Sequence, residues 1–332
     1  MEYKASFDQA FYDTASRSLP KPYHLLFHTT PNTVNGGSYA DVYVPSLPSP
    51  VTGYPVALYI HGGGFCQGGA DEGILRQPQQ AAQVLKAGIV VVSLEYRKLP
   101  HVILAQVCED IRAGWAWVQN GSLQQDLGVA GAPNVIIDSG RIGGWGHSAG
   151  ASLLSILGMT VPSRLRCVLN FFGTVNWTHS TSNTWPLLDD LTNKLLAGPA
   201  STSTRNRLDL DLQNDKDPEQ QLRLAYILEL YKDIGTLRAV LHSTDQENPF
   251  HLLHPGCPPF YHVQGSKDHM VSCDGTRRFH QKLLDIGVES TLVIIEGAGH
   301  GWLVEKDGPG LLGETWKVDE SALAWMISKI KD

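Results

Sequence analysis

The sequence predicts an α/β fold built on a mostly parallel, doubly wound sheet. Short, continuously apolar segments such as PVALYI, GIVVVSLEY and CVLNFFG alternate with stretches whose apolar residues recur at helical spacing. A strand apolar on both faces belongs to a sheet covered on both sides, and the alternation with helices is that of βαβ units. The same alternation resumes towards the C-terminus, where PFYHVQG and STLVIIEG read as strands, DGTRRFHQKLLDIG as a helix closed by glycine, and SALAWMISKI as a last helix. At 332 residues, with 42% hydrophobic and 18% charged residues, the chain is sized for one core with insertions, so a single domain over 1–332 is expected.

The elements follow in order. YHLLFHTT and SYADVYVP, joined by the turn formers PNTVNGG, predict an opening antiparallel hairpin, and residues 45–54 are a Pro/Ser loop. Helices are expected over residues 77–86 and 104–118, the latter with Trp115 and Trp117 as core packing. RIGGWGHSAGASLLSILGM then reads as strand, tight turn and helix. Between about 174 and 250 the pattern changes. Polar runs (NWTHSTSNTW, GPASTSTRNR) surround PLLDDLTNKLL and PEQQLRLAYILELYKDIGTLRAVL, both amphipathic at a 3.6 period, which predicts a helical insertion.

Composition excludes several classes. A net charge of −7 without a Lys/Arg cluster disfavours nucleic acid, whose binding needs a concentrated basic surface. No run of about 18 apolar residues is present for a membrane span. The N-terminal residues read as neither signal peptide nor anchor. The five cysteines, Cys66, Cys108, Cys167, Cys257 and Cys273, lack metal-ligand spacing and are odd in number. A cytoplasmic, reduced protein is therefore expected.

The chemistry is carried by a few short motifs. Gly146-His147-Ser148-Ala149-Gly150 follows an apolar strand and precedes a helix; the glycines allow a sharp turn that lifts the Ser148 hydroxyl to the C-terminal edge of the sheet. His61-Gly62-Gly63-Gly64 follows PVALYI and is the expected oxyanion loop, with the N–H groups of Gly63, Gly64 and Ala149 as donors and His61 as a structural support. A serine needs a base oriented by a carboxylate. His300, between Gly299 and Gly301 just past one strand, is the expected base. Asp268, just past the preceding strand, is the expected acid, with Asp245, Asp274 and Glu296 as rivals. His147, His269, Cys66 and Cys273 lie near these motifs and read as structural.

With HGGGFCQGG, SLEYRKLP, WGHSAGASL, QGSKDHMV and GAGHGW in this order, the chain resembles the hormone-sensitive-lipase-like branch of the α/β-hydrolase fold, with arylformamidase-like and feruloyl-esterase-like hydrolases as relatives. It departs from that branch at His147, where an acidic residue is usual, and at Ala151, where a glycine is. The resemblance implies a helical cap made from residues 1–22 and 174–250. Trp177, Trp185, Leu187, Leu188, Tyr226, Leu230 and Tyr231 would either line the pocket or pack the cap on the core.

The reaction expected is cleavage of a carboxylic ester of a small or medium, partly apolar molecule through an acyl-enzyme, with no metal or organic cofactor required. The same residues also suit an acyl transferase, a cyclase or a product-releasing thioesterase of fungal-type secondary metabolism acting on a thioester. A ligand-binding receptor on this scaffold is the alternative of another class, and the complete set Ser148, Asp268, His300 speaks against it.

Overall fold

The structure, a computed structural model, describes residues 3–4, 17–30, 32–33, 35–161, 165–176, 186–198, 200, 218–230, 245–302, 304–305 and 312–332. Its strands are β1 (Tyr3–Lys4), β2 (Tyr23–Thr29), β3 (Gly37–Tyr43), β4 (Tyr54–Ile60), β5 (Val90–Leu94), β6 (Ile137–His147), β7 (Val168–Phe171), β8 (Phe260–Gly265), β9 (Ser290–Ile295) and β10 (Val304–Glu305). Eight of them form one sheet in the order β2-β3-β5-β4-β6-β7-β8-β9. β2 and β3 are the expected antiparallel hairpin, β3 also pairs antiparallel with β5, and every remaining pairing is parallel. β1 and β10 pair separately, Tyr3 opposite Glu305.

The described helices are α1 (Ala70–Arg76), α2 (Pro78–Lys86), α3 (Leu104–Gln119), α4 (Ser122–Val129), α5 (Ala149–Thr160), α6 (Pro186–Leu196), α7 (Pro218–Leu230), α8 (Cys273–Asp285) and α9 (Leu312–Lys331). Those expected over 77–86 and 104–118 are present to within a residue. α1 and α4 carry too short an apolar pattern to stand out in the sequence. α2 opens with Pro78 in its first turn, where the missing N–H costs nothing. α8 opens under the Ser272 hydroxyl, which accepts from the Gly275 N–H, with Asp274 in the first turn as expected.

The apolar runs of β4 and β5 divide between two faces because successive side chains point oppositely. Val56, Leu58 and Ile60 join one buried cluster, to which α3, α5 and α8 contribute Ile111, Leu153 and Phe279. Ala57 and Tyr59 join the other, with Val84 of α2 and Leu323 and Met326 of α9. Both faces are thus covered, as a doubly wound sheet requires. Trp115 and Trp117 are buried in the first cluster. Between the second face and α9, the Trp145 indole N–H donates to Gln80 Oε1 (3.0 Å) and the Gln80 amide to Asp319 Oδ2 (3.1 Å), so these buried polar atoms are matched.

α6 and α7 lie in the chain between β7 and β8, within the expected helical insertion. Leu188, Tyr226 and Leu230 are buried in the first apolar cluster. Trp177, Trp185 and Tyr231 lie outside the described residues, as does the side chain of Leu187. Among the described residues, no helix is long and apolar enough to cross a membrane.

Candidate active site

The parallel strands β4, β6, β8 and β9 all end on one edge of the sheet, and the chain segments that leave them carry His61, Ser148, Asp268 and His300. Ligand sites of such sheets form at the carboxyl ends of the strands. Ser148 is the turn between β6 and α5, with φ 51° and ψ −121°, a conformation that costs a non-glycine residue about 1–3 kcal/mol. Two glycines make it attainable. A Cβ on Gly146 would lie 2.7 Å from Ala151 N, and one on Gly150 would lie 2.0 Å from Ile60 O and 2.4 Å from His61 O. The turn is held from the far side by the Ser148 N–H, which donates to Phe171 O (2.9 Å).

Ser148 Oγ stands 2.9 Å from His300 Nε2, and His300 Nδ1 stands 2.8 Å from Asp268 Oδ2. Asp268 also accepts from the N–H groups of Met270 (2.9 Å) and Val271 (2.8 Å) and from the Gln264 amide (2.8 Å). Both its oxygens are thereby occupied and its orientation is fixed. A carboxylate is an acceptor only, so His300 donates from Nδ1 and a neutral ring presents a lone pair at Nε2 to the Ser148 hydroxyl. That is the arrangement in which a histidine takes a proton from a serine as the oxygen attacks.

The rivals for Asp268 are placed elsewhere. Asp274 heads α8, Glu296 accepts from the Ser266 hydroxyl (2.9 Å), and Asp245 lies in a single turn of 3-10 helix. The motifs did not single out Gln264, although it opens the same QGSKD segment that Asp268 closes. They also missed Phe172, whose φ is 44° and whose ring meets that of His300 at 5.0 Å and 70°.

The loop after β4 passes beside the serine. A Cβ on Gly62 would sit 3.3 Å from Ser148 Cβ and 3.0 Å from His147 O, so it is Gly62 that runs directly against the elbow. Gly63 and Gly64 follow with φ 106° and 59°. Among the described residues no acceptor is hydrogen-bonded to the N–H of Gly63, Gly64 or Ala149. These are the three donors expected for an oxyanion.

The loop is tied down from behind, His61 being buried as a support. Its Nδ1 donates to Gly62 O (2.6 Å), its ring stacks on Tyr96 at 4.3 Å, and the Tyr96 hydroxyl lies 3.1 Å from both His61 O and Gly62 O. Arg97, next in the SLEYRKLP segment, holds the buried Asp110 through Nε (2.9 and 3.0 Å) and its backbone N–H (2.8 Å). From α7, the buried Arg223 donates to Cys66 O (2.7 Å), docking the insertion on the same loop.

His147 and Cys66 have the structural roles expected of them. His147 is buried beneath the elbow, 3.1 Å from the Tyr59 hydroxyl and stacked at 5.0 Å on Phe171. Burial, aided by the nearby His300, pushes its pKa down to about 3 and keeps it neutral. Burial pushes the Cys66 thiol up to about 12, so it is no nucleophile. The five cysteines are all free thiols. Among the described residues, no cluster of three or more His, Cys, Asp or Glu side chains has the geometry to hold a metal.

The chain belongs to the α/β hydrolase fold family, which its residues 57–304 match, in agreement with the resemblance carried by its motifs. Among sequences, it is 27% identical over 295 residues to the non-reducing polyketide synthase Preu6 of Preussia isomera, a match covering 79% of this chain and 13% of the synthase. The chain thus spans about one eighth of that relative. Among solved structures, the propionate-bound thermophilic esterase Est2 of Thermogutta terrifontis superposes with a TM-score of 0.62 at 18% identity, over 94% of this chain and 95% of that one. The carboxylesterase EstE1, cloned from a metagenomic library, gives 0.62 at 18% identity over 97% and 94%.

Proposed function

We propose that this chain hydrolyses a carboxylic ester of a small or medium, partly apolar molecule through an acyl-enzyme. The observation that carries the reading is the hydrogen-bonded series Ser148 Oγ, His300, Asp268, at 2.9 and 2.8 Å. Ser148 attacks the carbonyl carbon while His300 Nε2 takes its proton. The resulting imidazolium is held by Asp268 and returns the proton to the leaving alcohol. Water, deprotonated by His300, then attacks the acyl-serine, and the proton passes back to Ser148 as the acid departs. In both steps the N–H groups of Gly63, Gly64 and Ala149 receive the oxyanion. No step calls for a metal or an organic cofactor.

We infer further that the cap implied by the sequence over 1–22 and 174–250, much of which lies outside the described residues, is anchored where Arg223 donates to Cys66 O, and that the protein works in the cytoplasm on a small-molecule substrate. The test is turnover of a short-chain p-nitrophenyl ester by the parent chain and by Ser148→Ala. Undiminished turnover in the variant overturns the reading.

A second reading is favoured by the similarity to part of a non-reducing polyketide synthase. On that reading the acyl group arrives as a thioester from a biosynthetic pathway, and the acyl-serine is released to water, to another alcohol or amine, or to a nucleophile within the acyl chain itself. Comparing turnover of a polyketide thioester with that of the matching oxygen ester separates the two, and product analysis then distinguishes transfer or cyclisation from release to water, which yields the free acid. Labelling of Ser148 by a fluorophosphonate argues against a receptor without catalysis.

A further inference from the structure

The Gly62–Gly63 peptide has two ends with different tasks. Its N–H is the Gly63 donor assigned above to the oxyanion, and its carbonyl is Gly62 O, which accepts from His61 Nδ1 at 2.6 Å and from the Tyr96 hydroxyl at 3.1 Å. A carbonyl loaded with donors withdraws electron density from its amide and fixes the peptide plane, so the N–H on the other side becomes a stronger and better-aimed donor. What holds His61 in the donating form is therefore a question about the oxyanion hole.

The answer lies in two residues that the motifs do not single out. Lys98 Nζ, with its side chain wholly buried, is 2.9 Å from His61 Nε2 and 3.6 Å above the Tyr96 ring. An ammonium only donates, so His61 Nε2 carries the lone pair and Nδ1 the proton, which is the tautomer Gly62 O requires. Glu95 stands behind: Oε2 is 3.6 Å from Lys98 Nζ and 3.9 Å from His61 Nε2, while Oε1 accepts from the Ala70 N–H at 2.6 Å. Burial pushes the Glu95 carboxyl up to about 8, with Lys98 and the Ala70 N–H pulling the other way. The arrangement is closed over at Gly68, where a Cβ would fall 2.7 Å from His61 Nδ1 and 3.1 Å from Gly62 O.

We propose that Lys98, seated by Glu95, is a positioning residue for ester cleavage: by donating to His61 Nε2 it fixes the tautomer that orients and polarises the Gly62–Gly63 peptide towards the oxyanion. This rests on the functional reading above. Because acylation and deacylation both pass through a tetrahedral oxyanion, the effect falls on kcat whichever step is slower.

The test uses the full chain with p-nitrophenyl butyrate as substrate and an aliphatic trifluoromethyl ketone as the mimic of the tetrahedral species, on Lys98→Met, the double variant Glu95→Gln/Lys98→Met, and Ser148→Ala. Lys98→Met is expected to lose about tenfold or more in kcat, short of the roughly 100- to 1,000-fold loss of an oxyanion donor outright, with KM within about twofold. Its affinity for the ketone is expected to fall by the same factor. The double variant, which leaves no buried ionisable carboxyl without its partner, is expected to melt near the parent temperature yet keep the kcat loss, and it decides the matter if Lys98→Met does not fold. Recovery of kcat and ketone affinity in the double variant, or parent-like kcat in either folded variant, overturns the proposal and leaves Lys98 as a charge partner only. Active Ser148→Ala would instead overturn the functional reading itself.

Discussion

Replacing Gly150 by alanine tests the elbow. The new methyl carbon would fall 2.0 Å from Ile60 O and 2.4 Å from His61 O, both backbone atoms at the end of β4. An ordinary C···O approach is roughly 3.3 Å, so the start of α5 and the end of β4 must separate by about 1.3 Å. Overpacking a core usually costs about 1–3 kcal/mol, and a clash against backbone with no side chain to yield belongs at or above the top of that range. The movement also draws Ser148 away from the oxyanion loop, and a misplacement of about 1 Å costs about 100-fold in rate. Urea unfolding and ester turnover should therefore show a loss of about 3 kcal/mol and about 100-fold in kcat/KM. Gly128 in α4 is the control: a Cβ there meets nothing within 4 Å, so Gly128→Ala should stabilise by about 0.5–1 kcal/mol through helix propensity. A Gly150→Ala variant within about 1 kcal/mol and threefold of the parent would refute the steric account of the elbow.

Three further outcomes are expected. Asp268→Asn should fold yet lose about 10⁴-fold in kcat, because an amide in place of the carboxylate favours the wrong His300 tautomer; a loss below tenfold in steady-state assays would remove Asp268 from its role. Asp110→Asn, which removes the charge shared by Arg97 and His28 while Arg97 keeps Gln106 O, should cost about 1.5–3 kcal/mol in denaturant unfolding, and a change under about 0.5 kcal/mol would contradict the pairing. His147 and His262 are both held neutral by burial, each with its pKa down at about 3. The unfolded chain therefore binds more protons below pH 6.5, and stability should fall from there towards pH 3 by up to about 1.4 kcal/mol per pH unit for each ring. A urea midpoint flat between pH 6.5 and 4.5 would show that these rings are not buried.

What the sequence determined by itself are the features whose cause is local. Continuous apolar runs mark strands covered on both faces, and the glycines flanking Ser148 record a close approach that no Cβ permits. The order of HGGG, GHSAG, SKD and GHG along strand ends is enough to expect Ser148, Asp268 and His300 on one edge of the sheet. The tertiary structure decided what depends on register and burial. Asp268 rather than Asp274 or Glu296 meets His300, because β8 and β9 pair from Phe260 opposite Ser290 to Gly265 opposite Ile295, and the turn after β8 is pinned by the Met270 and Val271 N–H groups. It also brought Glu95 and Lys98, to which the sequence assigns no role of their own, into a buried space behind His61. A charge pattern in sequence carries no sign of burial, because burial is fixed by the elements that close over the residue, here the turn at Gly68 and the stacked ring of Tyr96.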